Sequence, residues 1–102
     1  MSRARLADAL LDLDREAVLR TFLAEDGSIP TMPSKLTKRL LVLDHVAQAF
    51  APGERCAETE VNSRLRAFHP DVAMLRRYLV DEGFLAREDG VYWRCGGTVP
   101  AS

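Results

Sequence analysis

Four stretches of the chain place hydrophobic residues three or four positions apart, the spacing that lines one face of a helix. The first runs from about Asp14 to Ala24, the second follows Ser34, the third opens near Ala57 and the fourth follows His69. The repeated positions are Val18, Leu19, Phe22 and Leu23; Leu36, Leu40, Leu43, Ala47 and Phe50; Val61, Leu65 and Phe68; and Val72, Leu75 and Leu79. The pattern therefore predicts four helices, and an earlier stripe of Leu6, Leu10, Leu13 and Ala17 predicts a frayed start before the first.

The end of the chain has the pattern of a β-hairpin. Gly83 is predicted to end the fourth helix, since a residue without a Cβ readily adopts the left-handed conformation. Residues 84–87 and 92–94 then flank Asp89-Gly90, a pair typical of a type I′ turn. Residues 54–56 predict a further short strand. The predicted fold is mainly α with a small antiparallel sheet, in the order of a winged helix-turn-helix with an extra N-terminal helix.

Helix starts are predicted from capping residues. Ser34 is predicted to cap the second helix, and Pro70 suits the first position of the fourth, where Asp71 complements the positive end of the helix dipole. Ala57 stands where a serine would form a capping box with Glu60, and an alanine there costs about 1 kcal/mol.

Three runs carry a family resemblance: KLTKRLLVLDHVAQAF, GERCAETEVNSRLRAFHPDVAMLRRYLVDEGFL and VYWRCGGTV. Through them residues 35–99 resemble the bacterial domain of unknown function 2087 family. The resemblance implies a winged-helix-like fold. It also implies a transcription-related role, because members occur alone or fused to helix-turn-helix regulators of the arsenical-repressor type. Cys56 and Ala57 stand where this family usually has an aromatic residue and a serine.

The length of 102 residues fits one domain. Residues 1–34 are interpreted as an N-terminal helical extension with a Pro/Gly connector, residues 35–96 as the winged-helix domain and residues 97–102 as a flexible tail. No apolar run approaches the roughly 20 residues that span a bilayer, and aspartates interrupt the N-terminal leucines. We therefore expect a cytoplasmic protein that has no membrane partner.

The overall charge argues against strong sequence-independent binding to nucleic acid. The net charge is −1 and the pI about 6.1, whereas such binding depends on Lys and Arg neutralising phosphates. The distribution of charge along the chain is less unfavourable to nucleic-acid binding, because eight basic residues outnumber five acidic ones between Lys35 and Val80. The middle of the chain is thus weakly basic.

Basic residues at two places are candidate DNA contacts. The fourth helix would enter the major groove with Arg76 and Arg77, and Arg87 or Arg94 would touch the backbone beside the wing. Three cations lie near the start of the second helix, where they are repelled by the positive end of the helix dipole. This unfavourable placement suggests that an external anion binds there. The full candidate set is Lys35, Lys38, Arg39, Arg76, Arg77, Arg87 and Arg94. Each group has an equally plausible alternative as a solvated surface, and Arg76 and Arg77 could also pair with Asp81.

The second functional class is a protein-interaction module without direct DNA binding. Ala73, Met74 and the N-terminal helix would supply its apolar contact, and the near-neutral charge favours it. The N-terminal helix either covers the core or forms a dimer contact. The candidate partners are therefore double-stranded DNA and a second copy of the chain, with DNA binding slightly favoured.

We expect neither an enzyme nor a cofactor. The sequence has no glycine-rich phosphate loop, nucleophile elbow or paired zinc-ligand motif, and so predicts no small-molecule substrate. Cys56, Cys95, His45 and His69 lack the spacing of a metal site, so none is predicted. His69 is expected to cap or pack at the turn, and His45 to lie at the core boundary. Two unconnected thiols are favoured over a Cys56–Cys95 disulfide, since cytosolic thiols are normally reduced.

Overall fold

The computed structural model describes residues 15–98, and within them there are four helices and three strands. The helices are α1 (Arg15–Phe22), α2 (Leu36–Ala47), α3 (Glu58–Leu65) and α4 (Val72–Asp81), and the strands are β1 (Arg55–Ala57), β2 (Leu85–Glu88) and β3 (Val91–Arg94). The predicted class, mainly α with a small antiparallel sheet, is confirmed. Asp14, the predicted cap of the first helix, and the earlier leucine stripe up to Leu13 lie outside the described residues.

Helix α2 forms the centre of the core. Six of its apolar side chains are at most 1% exposed, namely Leu40, Leu41, Val42, Leu43, Val46 and Ala47. A helix that is apolar around most of its circumference must be surrounded by other elements. Helix α1 packs on one side of it and α4 on another, while α3 packs against α4 and the sheet.

The three strands form an antiparallel sheet in the order β1-β3-β2. Tyr92 in the central strand lies opposite Cys56 on one side and Arg87 on the other. Asp89 and Gly90 have φ angles of 54° and 79°, so the predicted two-residue turn is confirmed. Strand β2 also contacts α4, which precedes it in the chain.

The connector before α2 is part of the core. Ile29 is 1% exposed, and its N–H donates to the Phe68 carbonyl across 2.6 Å. The sequence did not predict this contact, because one apolar residue between turn-forming residues has no periodicity to reveal it.

The start of α2 differs from the prediction. The N-cap is Lys35, which has an extended backbone and makes no side-chain capping hydrogen bond. Ser34 therefore lies outside the helix, and its carbonyl accepts a hydrogen bond from Arg39 Nη1 at 3.0 Å. The prediction that Ser34 caps this helix is therefore wrong, and the cap lies one residue later.

The start of α4 also differs by one position. Asp71 is the N-cap, and its carboxylate accepts the Met74 N–H at 3.1 Å. Pro70 consequently precedes the cap instead of taking the first helical position. His69 Nδ1 accepts the Asp71 N–H at 2.9 Å, so His69 stabilises the turn as expected.

The beginning of the predicted flexible tail is attached to the core. The Thr98 N–H donates to Asp44 at 2.6 Å, and the Thr98 carbonyl accepts hydrogen bonds from Gln48 and Arg94. Both Gly97 and Thr98 therefore belong to the folded part of the chain, and residues 99–102 lie outside the described residues.

Candidate nucleic-acid interface

The outward face of α4 is set by its helical repeat. Leu75 and Leu79 point into the core and are fully buried, so Ala73 and Arg77 lie on the opposite side and are exposed. The predicted orientation of Arg77 is confirmed. Within residues 15–98 its guanidinium makes no ion pair, although Asp81 follows one turn later.

An open cleft of about 260 Å³ lies along this face, between α4 and β2. Its lining residues are Ala73, Arg76, Arg77, Val80, Asp81 and Arg87. Three of the seven candidate DNA contacts thus meet in one concavity.

Arg76 lies at the edge of the cleft and is partly engaged within the chain. Its Nη1 donates to Asn62 Oδ1 across 2.5 Å, and its Nε lies 4.0 Å from Glu58 Oε1. Its side chain is 20% exposed. An anion in the cleft would therefore compete with contacts from α3 for this guanidinium.

Arg87 extends from β2 on the other wall of the cleft. It lies directly opposite Tyr92 in the sheet, and its side chain is exposed. Interaction with the Tyr92 hydroxyl, followed by the charges of Glu58 and Asp81, raises the pKa of Arg87. The Tyr92 hydroxyl itself donates to Glu58 Oε1 at 2.9 Å, which links the sheet to the first residue of α3.

Arg94 lies in the interior, 6% exposed, and is not part of this surface. Its guanidinium donates to the carbonyls of Phe50 and Gly96, each at 3.0 Å, and to that of Thr98. Three of its five N–H donors are bound to backbone carbonyls, and burial keeps the guanidinium away from any ligand at the surface. We therefore omit Arg94 from the candidate interface.

Lys35, Lys38 and Arg39 form a second group at the start of α2. Lys35 and Lys38 line a separate cleft of about 300 Å³. The Arg39 guanidinium lies 5.0 Å from the centre of the Tyr78 ring on α4, a cation–π contact. Arg39 therefore connects this group to the helix that carries Arg77.

Comparison with known proteins identifies a family. Residues 28–94 match the uncharacterised proteins conserved in bacteria that are designated domain of unknown function 2087, DUF2087. The chain belongs to the DUF2087 family. No curated protein and no solved structure matched it. None of the DUF2087 chain's helices within residues 15–98 has the length and apolar character needed to cross a membrane.

A third polar cluster of the DUF2087 chain joins β1 to α3. The ligand atoms of Glu54, Cys56 and Glu60 lie within 4.8 Å of one another, a grouping that could hold a metal ion. Arg64 Nη2, however, lies 2.7 Å from a carboxylate oxygen of each glutamate. This pairing lowers the pKa of Glu54 to about 2. Both carboxylates are already paired with the same guanidinium within the chain, so we interpret the cluster as structural.

The two cysteines of the DUF2087 chain are separate. Both are free thiols; Cys56 is buried and Cys95 is exposed. Cys56 pairs with Tyr92, three residues before Cys95, a separation of roughly 10 Å along a strand and beyond the roughly 7 Å that a disulfide spans. Burial also raises the pKa of the Cys56 thiol, which disfavours the reactive thiolate.

Sequence reasoning missed the residues that restrain the arginines. Asn62 and Glu58 had no assigned role toward Arg76, and Tyr92 had none toward Arg87. Tyr92 and Glu58 are 34 positions apart, so no local pattern shows their contact. The register between β1 and β3 is the signal that could have revealed it, because it places Ala57, beside Glu58, opposite Val91, beside Tyr92.

Proposed function

We propose that this DUF2087 chain is a winged-helix protein that binds duplex DNA through α4 and acts in transcription regulation. The observation that carries the proposal is the α4–β2 cleft, where Arg76, Arg77 and Arg87 line one exposed concavity. Lys and Arg that converge on one surface are the electrostatic footprint of a nucleic-acid-binding protein.

The order of the elements supports the winged-helix interpretation. A pair of packed helices, α3 and α4, is followed by a two-residue hairpin, and β1 completes a small sheet beside them. In helix-turn-helix proteins the second helix of such a pair enters the major groove, and its exposed side chains contact bases and phosphates. Here that helix is α4, which exposes Arg77.

The distribution of charge favours phosphate contacts over readout by the wing. Arg77 on α4 and Arg87 on β2 face the same cleft and can approach one backbone strand. The hairpin tip carries Glu88 and Asp89, both exposed, which would repel the negative minor groove. Binding should therefore depend on α4 and the cleft, with the wing tip held away from the DNA.

The expected affinity is modest and depends strongly on salt. Each neutralised phosphate contributes a slope of about −0.9 to the plot of log affinity against log salt concentration, so two or three arginines give about −2 to −3. Binding to nonspecific duplex should accordingly be clear at low salt and weak at physiological salt.

Fluorescence anisotropy with a labelled duplex, titrated across a range of salt concentrations, tests the proposal. Arg77→Gln should weaken binding and reduce the magnitude of the salt slope by about 1. Arg20→Gln is the matched control, because Arg20 is exposed on α1, away from the cleft. Wild-type protein that is folded and does not bind duplex at the lowest salt would refute DNA binding.

A second candidate function, a protein-interaction or dimeric regulatory module, has its own supporting observation. A cleft of about 280 Å³ on α4 is lined by Met74, Arg77, Tyr78 and Asp81, which mixes apolar and charged groups as protein interfaces do. If the protein shows no salt-dependent DNA binding and is a dimer in light scattering, this alternative would be favoured.

A further inference from the structure

We infer that Glu58 is an internal counter-ion of the α4–β2 cleft, and that its carboxylate limits the affinity of the cleft for a phosphodiester group of duplex DNA. The inference rests on the proposed function and adds a residue that tunes it. Glu58 is the first residue of α3 and had no assigned role in binding.

The position of Glu58 is fixed from the sheet. Its Oε1 accepts the Tyr92 hydroxyl at 2.9 Å, and Tyr92 is 1% exposed, so a buried side chain anchors the carboxylate. The Glu58 side chain remains 48% exposed. The carboxylate is thus held at the protein surface and is not free to turn away into solvent.

Glu58 acts on both walls of the cleft. On the α4 side its Oε1 lies 4.0 Å from Arg76 Nε. On the β2 side, Arg87 is paired across the sheet with Tyr92, the residue that holds Glu58. Arg76 is therefore partly neutralised before any ligand arrives, and the charge of Glu58 also helps to raise the pKa of Arg87, whereas Arg77 has no ion pair within the described part of the chain.

The charge count shows why one carboxylate matters. The cleft is lined by three guanidinium groups and by Asp81, and Glu58 lies 4.0 Å from Arg76 and acts through its charge on Arg87. The three positive charges are opposed by two negative ones, which leaves a net charge of about +1. Removing the charge of Glu58 would raise this to about +2, so a phosphodiester would no longer compete with Glu58 for Arg76 and Arg87.

Glu58→Gln tests the inference without removing the anchor. A glutamine has the same shape, and its Oε1 can still accept the Tyr92 hydroxyl. We expect Glu58→Gln to bind labelled duplex about two- to fivefold more tightly at low salt, the effect of one partly exposed charge pair. The gain should shrink as salt screens the pair.

Glu88→Gln is the matched control for total charge. Glu88 is exposed at the end of β2 and, within residues 15–98, forms no ion pair with an arginine of the cleft, whereas Glu58 lies 4.0 Å from Arg76, so the loss of Glu88 should change affinity less. Equal gains from both variants would mean a general charge effect and would overturn the inference, as would unchanged affinity in Glu58→Gln. Circular dichroism melting of both variants checks that α3 stays folded.

A double-mutant cycle with Arg87→Gln separates a direct effect from a structural one. If Glu58 acts by competing for Arg87, part of the gain from Glu58→Gln must disappear in the Arg87→Gln background, whereas independent effects would add. Full additivity would overturn this part of the inference. Should wild-type protein fail to bind duplex, binding gained by Glu58→Gln alone supports the inference, and binding by neither protein refutes both it and the proposed function.

Discussion

Arg15 Nη1, at the start of α1, donates a hydrogen bond of 2.6 Å to the carboxylate of Asp44 in the middle of α2. Asp44 is fully buried, and its other oxygen accepts the Thr98 N–H, also at 2.6 Å. Both ends of the described chain therefore meet at one carboxylate. A buried charge is tolerated only when it is paired and hydrogen-bonded, so Asp44 depends on both partners.

Replacing Asp44 should destabilise the fold in proportion to the partners lost. Asp44→Leu leaves both donors without an acceptor and should lower the free energy of unfolding by about 2–4 kcal/mol. Asp44→Asn keeps one acceptor oxygen and should cost about 1–2 kcal/mol. Urea unfolding measures both. If Asp44→Leu were as stable as wild type, the carboxylate would have no structural role.

Arg94 gives a second stability prediction, and one that distinguishes it from Arg87. Arg94→Leu removes three hydrogen bonds to backbone carbonyls, of which, within residues 15–98, only the Thr98 carbonyl keeps a second donor, Gln48, and should cost about 3 kcal/mol. Arg87→Leu, at an exposed strand position, should change stability by less than about 0.5 kcal/mol. Thermal melts compare them, and equal losses would contradict the assignment of Arg94 to the interior.

For DNA affinity we expect the opposite order: replacing Arg87 should matter and replacing Arg94 should not. Arg94→Lys keeps a positive charge and, at temperatures where it remains folded, should retain wild-type affinity. Arg87→Gln should lose affinity at low salt. Reduced affinity in a folded Arg94→Lys protein would return Arg94 to the candidate interface.

The elements of the fold were predictable because each has a local cause. The apolar spacing of α2, the left-handed Gly83 with φ of 81° and the Asp89-Gly90 turn all act within a few residues. The predicted helix starts were wrong by one residue where either of two neighbouring residues could begin the helix, as at Pro70 and Asp71. Local preference identifies the boundary but does not choose between adjacent positions.

The candidate site was only partly predictable, because its charges are balanced by distant residues. The outward position of Arg77 was predictable, because Leu75 and Leu79 define the buried face of α4 and Arg77 lies on the opposite face. The burial of Arg94 depends on carbonyls at Phe50 and Thr98, which only the folded chain brings together. An arginine on a short strand can face either side, and local sequence does not reveal its partners.

His45 should make stability depend on pH in the weakly acidic range. Burial, aided by the nearby Arg15 charge and opposed by Asp44, lowers the pKa of His45 below its ordinary value of 6.5. A pKa that is lower in the folded state favours the neutral ring. The stabilisation is therefore fully present above the unfolded pKa and is lost as the pH falls through the folded value.

The free energy of unfolding should accordingly fall between about pH 7.5 and pH 5, and more in wild type than in His45→Gln. The difference should be a few tenths of a kcal/mol, because solvent partly screens a half-exposed ring. Denaturant titrations at several pH values give the comparison. Parallel pH profiles for the two proteins would exclude His45 as the source.

Ala57→Ser should stabilise the protein. Ala57 is the N-cap of α3, with φ of −68° and ψ of 157°, and it makes no side-chain capping hydrogen bond. This extended conformation is the one in which a serine hydroxyl accepts an N–H of the first turn, a contact worth about 1 kcal/mol. Ala57→Gly is the control: it gains no hydroxyl, so any stability it shares with Ala57→Ser comes from the backbone. If the serine variant melted no higher than the glycine variant, the free N–H groups at the start of α3 would already be satisfied by solvent, and the uncapped helix would carry no penalty.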